Sequence, residues 1–149
     1  MKLDLVVAGY IFDENKVLLI HHKKLDLWLP VGGHINPNET PNDALMCEIK
    51  EETDLDVEVL GGSGVPLVGN AKKNLIPPFH VNIHMAQDHE HCCFFYACKA
   101  INPEKLKTNG EVLGHMWVSE VDLKKEIIPA DVKNLAMKAF KMFEKEINS

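Results

Sequence analysis

Apolar and polar residues follow one another in patterns that predict several short strands and two helices. Residues 3–12 and 16–22 are rich in β-branched and aromatic side chains and flank a polar turn, so they predict a β-hairpin. The segment 28–33 is predicted to end in a loop, where two adjacent glycines allow backbone angles or close approaches that a side chain would block. Further strands are predicted at residues 55–61, 79–85, 91–100 and 112–118.

The first predicted helix runs from about Pro41 to Thr53, because Thr40 suits the N-cap and proline suits the first helical position. The second carries one apolar stripe from Val132 to Ile147, as in a helix that covers a sheet. Strands and helices mixed over 149 residues, without repeats or linkers, predict one α/β (α+β) domain over residues 1–149.

The charge balance narrows the classes of partner. Asp and Glu number 22 and Lys and Arg number 16, which gives a net charge of −6 and argues against nucleic acid or an anionic membrane. Every basic residue is a lysine, so a bound anion must rely on lysines, backbone amides or metal ions. No apolar run has the length of a membrane span or a signal peptide, which predicts a cytoplasmic protein.

Three carboxylates of the first predicted helix are candidate metal ligands. At about 100° per residue, Glu48, Glu51 and Glu52 fall within one arc of ~100°. Clustered carboxylates repel one another unless solvent or a cation screens them, and Mg²⁺ commonly links such oxygens to phosphates. A solvated helix face, with Lys50 pairing with its neighbours, is the alternative interpretation of this short segment.

The spacing upstream of these carboxylates favours the metal interpretation. Five residues separate Gly33 from Glu39, and seven more precede Cys47. The segment 33–55 resembles the Nudix box, Gly-x5-Glu-x7-Arg-Glu-U-x-Glu-Glu-x-Gly-U, in which U is aliphatic. The residues that match the pattern are Gly33, Glu39, Glu48, Ile49, Glu51, Glu52 and Leu55.

The resemblance to Nudix hydrolases implies a fold and a reaction. The fold would be an α/β/α sandwich, with a mixed β-sheet between helices. The reaction would be hydrolysis of a pyrophosphate bond in a nucleoside diphosphate derivative or a related nucleotide, with Mg²⁺ or Mn²⁺ as cofactor. The partner would be a nucleotide-like small molecule, and a homodimer is compatible with the sequence.

The same resemblance assigns roles to individual residues. Glu48, Glu51 and Glu52 would be metal ligands, together with the backbone carbonyl near Gly33, and Glu51 and Glu52 would be catalytic. Glu39 would be a supporting acid in the substrate-binding loop. The family often adds an acid from a later loop, for which Glu111, six residues before Trp117, is our catalytic candidate. Asp88 and Glu90 are the alternatives.

Two positions depart from the family pattern. Cys47 stands where the box has arginine, which in the family pairs with an acid, so we expect Glu39 to lack that partner. Asp54 stands where the box has glycine, at a helix end where a left-handed conformation is common. A catalytically weak Nudix domain that binds or senses a nucleotide is therefore the alternative function.

Histidines accumulate in the later half of the predicted sheet. They are His80, His84, His89, His91 and His115. We interpret them as the lining of a substrate pocket, with His80 and His91 as candidate contacts. A zinc site formed by His89, His91 and Cys93 is the alternative, although these residues lack a tight Cys/His ligand spacing.

Overall fold

A mixed eight-stranded β-sheet lies between two helices in the computed structural model, which describes residues 1–62 and 64–148. The strands are β1 (Leu3–Asp13), β2 (Lys16–His22), β3 (Leu27–Leu29), β4 (Val31–His34), β5 (Val57–Val59), β6 (His80–Ala86), β7 (His89–Ala100) and β8 (Val112–Ser119). The helices are α1 (Pro41–Thr53) and α2 (Ala130–Ile147), with short 3-10 turns at Pro103–Lys105 and Val121–Lys124. The predicted α/β/α sandwich is confirmed.

Strand β1 is the centre of the sheet. It runs parallel to β7 from Leu3 to Phe12, whereas all other strand pairs are antiparallel. On its other side β1 pairs with β2 only near its end, at Ile11 to Asp13, and β4 occupies the same side at Val6 to Gly9. The outer strands β3 and β8 pair with β2, and β5 and β6 pair with β7. This arrangement places β4 beside β1 and in contact with α1.

Each helix covers its own face of the sheet. On one face Val7, Ile11 and Leu18 belong to the same buried cluster as Leu45 and Ile49 of α1. The α2 face contains a second cluster, in which the rings of Phe12 and Phe143 stack with centroids 4.5 Å apart. Side chains alternate between these faces along β1, as expected for a strand covered on both sides. Among the described residues, neither helix combines the length and apolarity that a membrane span requires.

The segment 28–33, predicted to end in a loop, instead forms most of β3 and β4. Of the two roles that the sequence allowed for Gly32 and Gly33, special backbone angles are absent, since neither residue has a left-handed backbone. Their lack of a side chain serves close approach. A Cβ atom at Gly32 would lie within 3.0 Å of the backbone oxygen of Val7, a contact that real Cβ atoms almost never make. The predicted strand 55–61 is also shorter, since β5 covers only Val57–Val59.

Candidate active site

Helix α1 begins and ends at residues that fix its backbone. The Thr40 hydroxyl accepts a hydrogen bond of 3.0 Å from the amide of Asp43, and the Asp43 carboxylate accepts one of 3.4 Å from the amide of Thr40. This capping box satisfies amides that the first turn leaves free. At the other end Asp54 adopts the left-handed conformation, with φ of 59°, and its amide donates to the carbonyl of Lys50. Asp54 thus adopts the left-handed conformation that is expected where the box has glycine.

The three glutamates of α1, a helix that contacts β4, differ in exposure. Glu51 is exposed, Glu48 is half-buried and Glu52 is only 4% exposed. A Cβ atom at Gly33 would lie within 3.0 Å of the Glu48 carboxylate, so this glycine leaves the space that the carboxylate occupies. The backbone amide of Gly32 donates a hydrogen bond to Glu52. The adjacent glycines Gly32 and Gly33 therefore contact the two inner glutamates of the helix.

Glu52 and Glu48 hold protons more tightly than ordinary carboxyl groups do. Burial and the charge of Glu48 raise the pKa of Glu52 to about 8, against the opposing hydrogen bond from Gly32. Burial and the charges of Glu51 and Glu111 raise the pKa of Glu48 to about 7. Among the described residues, Oε1 of Glu52 is a buried side-chain oxygen without a hydrogen-bond partner. Such an oxygen is destabilising unless a cation or a proton compensates it.

The donor set fits a hard divalent cation. Carboxylate and carbonyl oxygens are the ligands that Mg²⁺ and Mn²⁺ prefer. Within residues 1–62 and 64–148, no three α1 glutamates bring oxygens within 4.8 Å of one another. Glu48, Glu51 and Glu52 would hold such a cation through their carboxylate oxygens, and it would offset the charge of these acids.

Glu111 lies in a loop that is fastened to α1. The side chain of Asn109 donates to the carbonyl of Glu51 at 3.1 Å and accepts from the amide of Glu111 at 3.0 Å. The carbonyl of Glu111 accepts from the amide of Lys23 at 2.9 Å. Sequence reasoning missed Asn109, which positions this loop. The charge of Glu111 is close enough to raise the pKa of both Glu48 and Glu52.

The two alternatives to Glu111 lie in the turn before β7 and at the beginning of β7. Asp88 is in the turn between β6 and β7 and contacts Nδ1 of His89 at 3.1 Å. Glu90 is in β7 and pairs with Leu3 of β1. Neither is among the groups that shift the pKa of the inner glutamates of α1. Glu111 is thus the candidate that the structure places near them, and its catalytic role stays a prediction.

Glu39 lacks an arginine partner, as expected from Cys47, but it has other hydrogen-bond partners. One carboxylate oxygen accepts a hydrogen bond of 3.0 Å from the backbone amide of Asn36. The Cys47 thiol also hydrogen-bonds to Glu39, and burial together with the Glu39 charge raises the pKa of that thiol. A thiol can donate one hydrogen bond where a guanidinium would donate several. The loop between β4 and α1 therefore keeps part of the connection that the family's arginine supplies.

His80 and His91 are not brought together with the α1 glutamates. His80 pairs with Phe95 across β6 and β7, with ring centroids 6.2 Å apart, and Phe95 belongs to the core under α2. His91 lies on the same face and contacts other histidines. Burial and the neighbouring His84 and His89 lower the pKa of His91 to about 4. Both histidines lie on the sheet face away from α1. Their contact with a substrate stays a prediction.

The family model described as NUDIX domain matches residues 2–138. The chain belongs to the Nudix family. A Nudix-family hydrolase from Clostridium perfringens is 30% identical and superposes with a TM-score of 0.81, over 96% of this chain and 99% of that one. The MutT protein from Methanosarcina mazei Go1 is 17% identical, with a TM-score of 0.69 over 99% and 96% of the two chains, which shows the fold alone.

A curated relative shares a shorter segment with this Nudix chain. It is named "Putative ADP-ribose pyrophosphatase YjhB", from Bacillus subtilis (strain 168). The two are 38% identical over 52 residues, which are 35% of this chain and 25% of that protein. The match thus spans a quarter of the relative's length.

The raised pKa values predict how the stability of this Nudix protein depends on pH when metal is absent. The folded protein retains protons on Glu48 and Glu52 that the unfolded chain, with an ordinary carboxyl pKa, has already lost. The free energy of unfolding should therefore fall, by on the order of 1 kcal/mol, as pH rises from 6.5 to 8.5 in EDTA. Mg²⁺ should remove most of this decrease. Thermal denaturation, followed by circular dichroism with and without Mg²⁺, measures this change in the free energy of unfolding.

The pH window is chosen to exclude the histidines. Burial lowers the pKa of His22, His84 and His91, so their contribution to stability changes below pH 6.5 and has the opposite sign. The Glu52→Gln variant should show a flatter profile between pH 6.5 and 8.5. A melting temperature that stays constant or rises across this window in the wild-type protein would contradict the assignment.

Proposed function

We propose that this Nudix protein is a metal-dependent pyrophosphohydrolase that cleaves a pyrophosphate bond in a nucleoside diphosphate derivative. The observation that carries the proposal is the buried carboxylate of Glu52, which has one oxygen without a partner and lies beside Glu48. Two acids in this arrangement destabilise the fold unless a cation uses them. Family membership supports the class of reaction, and the relative's name makes ADP-ribose the first compound to test.

In this proposal Glu48, Glu51 and Glu52 hold Mg²⁺ or Mn²⁺, with the carbonyl near Gly33 as a further ligand. Bound there, the cation would neutralise the diphosphate and lower the pKa of an attacking water. Glu111 would accept a proton from that water through its carboxylate, and the hydrogen bonds of Asn109 hold its loop against α1.

Recognition of the diphosphate has to proceed without arginine. The chain has none, so in this proposal the affinity rests on the metal ion, with help from Lys23, whose backbone amide donates to the carbonyl of Glu111. Lysine provides one compact charge and no bidentate fork. Substrate binding should therefore depend more strongly on metal than it would in a protein with a phosphate-binding arginine.

The test is a screen of ADP-ribose, nucleotide sugars, dinucleoside polyphosphates and nucleoside triphosphates with Mg²⁺ or Mn²⁺. Released phosphate is measured after coupling to a phosphatase. We expect turnover of at least one class, and its loss in EDTA together with the loss of substrate binding by calorimetry. Glu58→Gln, at an exposed glutamate of β5, is the control and should behave as wild type.

The screen also separates the alternative function. Tight binding of a nucleotide with metal but without turnover would contradict hydrolysis and support a binding or sensing domain. The observation behind that alternative is Cys47, since its single hydrogen bond to Glu39 replaces the stronger connection that an arginine would make. Equally tight substrate binding in EDTA would contradict both versions, because each needs the metal to hold the diphosphate.

A further inference from the structure

A second group of metal-ligating side chains lies at one end of the sheet. Nε2 of His34 and Nε2 of His89 are each 3.3 Å from Oδ2 of Asp4. Nε2 of His89 is also 3.0 Å from Nε2 of His91. One ligand atom from each of the four side chains lies within 4.8 Å of the other three. We call Asp4, His34, His89 and His91 the histidine cluster.

The histidine cluster is on the face of the sheet opposite to the candidate active site. His34 pairs with Val6 of β1, and Val6 belongs to the core under α2. The preceding pair, Gly33 with Val7, faces α1, because Val7 belongs to the other core and Gly33 abuts Glu48. Successive strand residues point to opposite faces. The cluster therefore shares no ligand with the glutamates of α1.

Hydrogen bonding among the four side chains does not account for their convergence. A ring nitrogen of histidine carries either one hydrogen or one lone pair. Nε2 of His89 contacts both the Asp4 carboxylate and Nε2 of His91, so it cannot make a good hydrogen bond to each. A cation that accepts electron pairs from all four atoms would satisfy them together.

Three of the six distances between the ligand atoms are close to those of a tetrahedral zinc site, and all six are within 4.8 Å. Zn–N bonds of about 2.0–2.1 Å at tetrahedral angles separate the ligand atoms by about 3.3 Å. The three contacts within the cluster measure 3.0, 3.3 and 3.3 Å. Three imidazoles and one carboxylate are also a ligand set that Zn²⁺ accepts, whereas Mg²⁺ prefers oxygen alone. We propose that Asp4, His34, His89 and His91 form a zinc site.

The surroundings of the cluster support this assignment independently. Nδ1 of His89 lies 3.1 Å from the carboxylate of Asp88, which as an anion can only accept, so Nδ1 carries the hydrogen. Nε2 of His89 is then the atom left to bind a metal. Zinc-bound histidines commonly donate their other ring N–H to a carboxylate in this way. The second oxygen of Asp4 faces Lys2 at 3.6 Å, which leaves Oδ2 to the cluster.

The site would join three strands that are distant in the sequence. Asp4 comes from β1, His34 from β4, and His89 and His91 from β7. The sequence suggested zinc only through His89, His91 and Cys93, but Cys93 is 2% exposed and is not part of the cluster. Because β4 also carries the glycines beneath Glu48 and Glu52, zinc would stabilise the strand behind the candidate active site.

The test uses the full chain, stripped of metal with EDTA and dialysed. Zn²⁺ is titrated against a chromophoric chelator in excess Mg²⁺, and Co²⁺ is added separately to record its visible spectrum. We expect one equivalent of zinc, a Co²⁺ spectrum typical of tetrahedral ligands, and a rise in melting temperature with zinc. His91→Ala should weaken zinc binding by at least ~100-fold, and Asp88→Asn by roughly 10–100-fold.

Matched variants separate this site from the glutamates and from unfolding. His115→Ala removes an exposed histidine of β8 and should bind zinc as wild type does. Glu52→Gln should keep the Co²⁺ spectrum, since it alters only the α1 site. His34→Ala is a second variant whose side chain is 59% exposed, so it should lose zinc without loss of folding. Circular dichroism without metal verifies the fold of each variant.

The zinc-binding measurements can either support or overturn the proposed zinc site. Zinc binding that is lost in His91→Ala and His34→Ala but kept in His115→Ala and Glu52→Gln supports the site. Equal zinc affinity in wild type and in folded His34→Ala would overturn it, as would an octahedral Co²⁺ spectrum. Loss of zinc binding in Glu52→Gln would place the ion at α1 and would also overturn it.

Discussion

Glu52→Gln should lower turnover by on the order of 10²-fold or more while making the metal-free protein more stable. The change keeps the shape of the side chain and removes a buried charge whose Oε1 has no partner. Without that charge, the Glu48 carboxylate also loses a repulsive neighbour. At pH 8 in EDTA we expect the free energy of unfolding to rise by about 2 kcal/mol. Steady-state kinetics and thermal denaturation of the same preparation measure both effects.

The opposite signs of the two effects make this variant informative. Loss of activity through misfolding would lower stability, whereas loss of a metal ligand raises it. Glu58→Gln provides the control for replacement of an exposed carboxylate, and it should change neither quantity. Turnover within twofold of wild type in Glu52→Gln would contradict the role of Glu52. Lower stability at pH 8 would contradict its uncompensated burial.

The parts of the site that lie on one helix could be predicted from sequence. Glu48, Glu51 and Glu52 are neighbours because of helical periodicity alone, and Asp54 ends that helix in the conformation expected there. Asn109 could not be found in this way, since it is 58 residues from Glu51, to which it donates. An asparagine in a polar connection gives no signal of the backbone group it will reach.

Strand β4 could not be predicted from the sequence for a different reason. Two adjacent glycines usually indicate freedom of the backbone, so Gly32 and Gly33 predicted a loop. In the structure they lie in an ordinary strand and are glycines because the β1 backbone and the Glu48 side chain occupy the space of a Cβ atom. The histidine cluster could not be predicted from the sequence either. Strand register, not local spacing, brings Asp4 and His34 close to His91.

Gly33→Ala and Gly32→Ala should have different effects although the residues are adjacent. The new methyl group at Gly33 meets the end of the Glu48 side chain, which can rotate away, so we expect a small change in stability. Displacement of that carboxylate should lower turnover by on the order of 10²-fold. At Gly32 the methyl group meets the backbone of Val7, which cannot move without breaking the β1–β4 pairing. That variant should lose about 3 kcal/mol of stability.

A double-mutant cycle with Glu48→Ala tests whether Gly33 acts through that carboxylate. If the methyl group harms activity only by displacing Glu48, adding Gly33→Ala to Glu48→Ala should lower turnover no further. The two losses would then be strongly non-additive. Losses that multiply would show that Gly33 acts on something other than the Glu48 side chain.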